Sequence, residues 1–115
     1  MQTETALSIL SALAQEARLA IFRLLIEQGP DGLTVGAIRD RLGLANATLS
    51  FHLKELTQAG LIHRRPSGRH IYYAPDIDSM NALIDYLTKN CCRNQAASCD
   101  TAGHIETCAP QQRPS

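Results

Sequence analysis

The chain has 115 residues, four cysteines and a formal net charge of zero. That length suits one small domain, with a core modest enough that a second copy would help complete it. No apolar run reaches the roughly 18 residues of a membrane-spanning helix, and "MQTETALSILSALAQEARL", with Glu4 and Glu16 and no early positive region, is not a signal peptide. The expected compartment is therefore the cytoplasm, where thiols stay reduced.

In chain order, residues 5–14, "TALSILSALA", place Leu7, Leu10 and Leu13 at three-residue spacing and predict a short helix. Residues 16–28, "EARLAIFRLLIEQ", are apolar on nearly every side, as in a helix at the middle of a domain. "GPDG" at 29–32 stops it. Thr34 suits the N-cap of a third helix, 35–42, and Gly43 a tight turn after it. Asn46 is read as the cap of a fourth helix, 46–59. In that helix Leu49, Leu53 and Leu56 make one core-facing stripe, and Gly60 ends it. "LIHRR" and "RHIYY" around "PSG" change the period to that of a two-stranded hairpin. A last helix is expected from about Asp76 to Asn90, with Met80, Leu83, Ile84 and Leu87 as its apolar stripe. From Arg93 onward Ile105 is the only large aliphatic residue, too little to order a segment, so residues 91–115 are expected to form a flexible tail on a domain of residues 1–90.

Two short helices joined by a glycine turn are a helix-turn-helix signature. With a hairpin after them, the expected fold is mainly α with a small β-hairpin wing: four helices, two strands and a closing helix. The neutral total conceals a basic stretch. Residues 39–70 hold six Arg and Lys against two carboxylates, a net of +4, which marks a phosphate-binding face. The second helix of the pair should enter the major groove by its N-terminal part. The leucine stripe turns Ala47, Ser50, Phe51 and Lys54 outward, with Asn46 and Thr48 beside them. Asn46 suits adenine, Ser50 and Thr48 suit base edges or phosphates, and Phe51 suits a thymine methyl. Lys54, Arg64, Arg65 and Arg69 would supply phosphate contacts. His52, beside the leucine stripe, is read as a packed structural histidine.

The runs "ALAQEARLAIFRLL" and "RLGLANATLSFHLKELTQAGLIHRRPSGRHIYY" resemble the ArsR/SmtB family of bacterial metal-responsive repressors, and "SFHLKELTQAGLI" follows that family's "SxHLxxLxxAGLV" pattern. The resemblance covers about residues 5–90. It implies a homodimeric repressor that leaves its operator DNA on binding a metal or metalloid, with a dimer interface on the first and last helices. Both helices carry apolar stripes, here Leu7 and Leu10, and Met80, Leu83, Ile84 and Leu87. The family's "CVC" thiol pair is missing, since Thr34 and Gly36 stand there. The last helix offers Asp76, Asp78 and Asp85 but no histidine for a zinc site.

The thiols lie instead at Cys91, Cys92, Cys99 and Cys108. Arsenite sensors with an adjacent cysteine pair and a further cysteine near the C-terminus occur in the family, and this arrangement is similar to theirs. As(III) is soft, and softness selects thiolates. Cys91, Cys92 and Cys99 would hold it, with Cys108 to spare. Cys99 follows Cys92 by seven residues, a reach of about 20 Å, and folds back to its own or the partner's pair. Sb(III), Cd(II) or Pb(II), a trivalent organoarsenical, or a disulfide redox switch could use the same thiols. A thiol-dependent reductase is disfavoured, because catalytic thiolates favour helix N-termini and Cys91 and Cys92 follow a helix C-terminus. The chain is thus expected not to be an enzyme and to need no organic cofactor.

Overall fold

The computed structural model of the chain describes residues 1–90. Five helices and a three-stranded antiparallel sheet follow one another as α1 (Thr3–Leu13), α2 (Glu16–Gln28), β1 (Leu33–Thr34), α3 (Val35–Leu42), α4 (Asn46–Gln58), β2 (Ile62–Ser67), β3 (His70–Pro75) and α5 (Ile77–Leu87). This is a winged helix-turn-helix, with α3 and α4 as the helix pair and β2–β3 as the wing.

The helix boundaries follow local chemistry. Gln15 caps α2 by accepting from the Arg18 N–H at 2.9 Å. Thr34 Oγ1 accepts from the Ala37 N–H at 3.2 Å and opens α3. Gly43, in the left-handed region at φ 69°, closes α3 and returns its N–H to the Arg39 carbonyl. Asp76 caps α5 through Oδ1 to the Ser79 N–H at 3.0 Å. That last helix is shorter than its periodicity predicts, ending at Leu87.

Two expectations need correction. Asn46 is not a cap: Ala45 holds that place without a side-chain bond, and Asn46 is already helical. The sheet also has a third strand. Leu33 pairs with Tyr73 and Thr34 with Tyr72, giving the order β1-β3-β2. Gly32 permits this approach: its φ is +78°, and a Cβ there would lie 2.5 Å from the Tyr73 carbonyl oxygen. "GPDG" therefore does more than stop α2.

One core joins the elements. Ala6 and Ile9 of α1 meet Ile21, Phe22 and Leu25 of α2, Ile38 of α3, Leu49, Leu53 and Leu56 of α4, and Leu83 of α5. The leucine stripe of α4 is thus fully inside, which fixes the rotation of that helix and so which side chains face out. Leu7, Leu10 and Leu87 remain exposed, while Met80 and Ile84 are half-buried. Leu83, expected in the dimer stripe, is instead 3% exposed: it is spent on the protomer's own core and has no surface for a partner. Tyr86 of α5 and Thr3 of α1 join their hydroxyls at 2.7 Å, tying together the two helices that carry the exposed leucines.

Candidate nucleic-acid interface

Because Leu49, Leu53 and Leu56 point inward, Asn46, Ala47, Thr48, Ser50, Phe51 and Lys54 all stand exposed on α4. All six predicted α4 contacts therefore share the solvent side of one helix. Phe51 is 53% exposed and offers an apolar ring on that side.

The wing divides its two arginines. Residues directly opposite in an antiparallel pair share a sheet face. Arg64 stands opposite Tyr73, and Arg65 opposite Tyr72. Arg64 and Tyr73 line a depression of about 280 Å³ with Ser50, Leu53, Lys54 and Thr57, between α4 and the wing. Arg65 lies on the other face. Its guanidinium donates to the Asp31 carbonyl and sits 5.3 Å from the Tyr72 ring centroid. Arg64 and Lys54 thus border the same depression, and Arg65 braces β2 against the loop before β1. Arg69 is exposed in the wing turn beside Gly68.

Behind the exposed face lies a polar contact that sequence reasoning missed. Arg18 of α2 donates from Nε to His52 Nδ1 at 3.2 Å and from Nη1 to the Ala12 carbonyl at 3.5 Å. The same guanidinium lies 5.6 Å from the Phe51 ring centroid, within cation–π range. His52 is 7% exposed, which agrees with its expected structural role. As an acceptor at Nδ1 it is neutral, with its proton on Nε2. Burial lowers its pKa from 6.5, the Arg18 charge lowers it further, and Glu55 partly opposes them. The sequence holds little signal for this contact: Arg18 is one of two arginines in a largely apolar helix. Its partner is 34 residues away and nothing local announces it.

Asn46 also has an unforeseen partner: Arg39 of α3 donates from Nη1 to its Oδ1 at 3.1 Å. The proposed thiol ligands Cys91, Cys92, Cys99 and Cys108 lie outside the described residues. Among the described residues, no group of three or more His, Cys, Asp or Glu side chains is arranged to hold a metal ion, and no helix is long and apolar enough to cross a membrane.

A helix-turn-helix domain family model matches residues 13–65. The transcriptional activator HlyU of Vibrio cholerae is 32% identical over 88 residues, covering 76% of this chain and 79% of HlyU. Its solved structure superposes with a TM-score of 0.62 over 80% of this chain and 99% of that one, and its reduced form matches with 0.58. A Halobacterium salinarum protein that carries the name "Putative arsenical resistance operon repressor ArsR2" is 34% identical, covering 72% of this chain and 68% of its own length. The homodimeric winged helix-turn-helix DNA-binding domain of Mb0332 from Mycobacterium bovis, described as a possible ArsR-family transcriptional regulator, is 30% identical. Its TM-score is 0.61, over 76% of this chain and 81% of that one. With an exposed recognition helix, a basic wing and these relatives, the chain belongs to the ArsR/SmtB family of winged helix-turn-helix transcriptional regulators.

Proposed function

We propose that this protein is a homodimeric, arsenite-responsive repressor of the cytoplasm. Its ligand-free form binds a palindromic operator, one α4 per half-site, and leaves it when As(III) binds Cys91, Cys92 and Cys99. The observation that carries the inducer is the placement of the thiols. The positions of the family's helix-turn-helix cysteines are Thr34 and Gly36, with Thr34 committed to capping α3, while all four cysteines lie between residues 91 and 108. Three thiolates are a donor set that suits a soft trivalent centre. The likeness to a relative named for arsenical resistance is in keeping with this reading.

The dimer is supported by Leu7, Leu10 and Leu87, exposed on α1 and α5, and by the homodimeric Mb0332 relative. Cys91 follows α5 by only a few residues. A ligand held there acts beside the dimer helices, whose arrangement sets the separation of the two α4 helices. The coupling is reciprocal, so operator DNA weakens arsenite binding by the same factor.

Sb(III) would use the same sulfurs. A thiol redox switch is the second reading, favoured by HlyU, a relative whose reduced form is itself a solved structure. Here two thiols would become a disulfide, giving two electrons and two protons to a peroxide. Operator release measured against arsenite, antimonite, Cd(II), Pb(II), Zn(II) and peroxide separates these inducers. Release by peroxide alone selects the redox reading, and release by none of them defeats thiol sensing.

A further inference from the structure

Asn46 opens α4 and is exposed in its first turn. An asparagine amide has one acceptor oxygen and an amino group with two N–H donors. Here the oxygen is already engaged by Arg39 Nη1 at 3.1 Å. Arg39 is held in turn from its own helix. Its Nε lies 3.5 Å from the Asp40 carboxylate, and its guanidinium passes over Gly36, where an added Cβ would already meet it at 3.6 Å. The first helix of the pair therefore orients the first residue of the second.

We infer that Arg39 is a positioning residue for base choice, turning the Asn46 oxygen away from DNA and leaving only its amino group to read a base. The inference rests on α4 lying in the major groove. Adenine there presents the N7 acceptor beside an N6 amino donor, and a bidentate asparagine needs both its oxygen and its amino group to match them. With the oxygen turned toward Arg39, the adenine amino group faces N–H donors. Guanine presents two acceptors, N7 and O6, and both suit the Asn46 amino group. Asn46 therefore selects guanine over adenine, the reverse of what the residue type alone predicts.

Selection of binding sites from a random duplex library, with the full chain and three variants, tests this. The position whose preference disappears in Asn46→Ala is the one Asn46 reads. The unaltered protein should favour guanine over adenine there by about tenfold. Arg39→Met, which keeps the stem and removes the donor, should move the preference to adenine. Asn46→Asp, which has no N–H donor, should lose guanine whatever Arg39 does. Adenine preferred by the unaltered protein, an unchanged base in Arg39→Met, guanine retained in Asn46→Asp, or no position dependent on Asn46 would each overturn the inference. An unaltered protein with no sequence selectivity at any position would instead overturn the DNA-reading role of α4.

Discussion

Arg18 and Phe51 show how a buried contact prepares an exposed one. The guanidinium satisfies His52 Nδ1 and the end of α1, and lies near the Phe51 ring that faces solvent. Phe51→Ala should flatten preference at one base position by about tenfold while leaving non-specific binding intact, as read by competition with mixed-sequence duplex. Wing cations behave differently. Arg64→Ala should weaken binding to every sequence and reduce the salt slope by about one. Arg65→Ala should act mainly through lost bracing against Asp31 and Tyr72, with a smaller change in that slope. Equal slope changes in the two variants would contradict this division.

His52 carries a pH prediction. Its native pKa is lowered from 6.5, by burial first and Arg18 second. The unfolded chain therefore takes up the proton more readily, and stability falls as pH drops below about 6.5 toward the lowered native value. His52→Asn keeps an acceptor for Arg18 and removes the titration. Urea unfolding between about pH 7.5 and about pH 5.5 should show a flatter dependence in this variant than in the unaltered protein.

At the scale of elements, what was legible depended on how local the cause is. Leu49, Leu53 and Leu56 repeat with the helix period, so the rotation of α4 and its outward residues followed directly. Thr34 and Gly43 act within four residues of themselves and were legible for the same reason. β1 was not, because two residues carry no period and Leu33–Thr34 is a strand only through β3, some forty residues later. Leu83 was assigned to the dimer stripe because periodicity shows that a face is apolar, not what covers it. Asn46 looked like a cap because its type suits one, and its partner across the turn has no local signal.

The third strand gives a stability test. Gly32→Ala places a Cβ against the Tyr73 carbonyl at a positive φ, and should cost at least about 1 kcal/mol in chemical denaturation. The exposed faces of α1 and α5 give an association test. Leu7→Glu with Leu87→Glu should move the protein to monomer in sedimentation and abolish cooperative operator binding, with the fold retained by circular dichroism. A dimer that survives both changes would place the interface elsewhere.

For the whole molecule, the neutral total charge conceals a division of labour. The basic stretch from Arg39 to His70 would face DNA, the exposed leucines of α1 and α5 would meet a second copy, and the thiols come after α5 in the sequence. This order places a proposed chemical signal next to the helices that would set the spacing of the two α4 helices. In the proposed mechanism ligand binding would act as a bias between two dimer arrangements rather than as a contact with DNA. Substituting any one ligand thiol should therefore leave DNA affinity intact while removing the response. Cys108→Ser, the spare, should change little.

The most direct test is anisotropy of labelled operator titrated with the unaltered protein and with Cys91→Ser, Cys92→Ser and Cys99→Ser, each with and without arsenite. Equal operator affinity for all four without arsenite, and release by arsenite of the unaltered protein alone, is the predicted result. An unaltered protein that stays on its operator in arsenite, or serine variants that are released as readily, would contradict it.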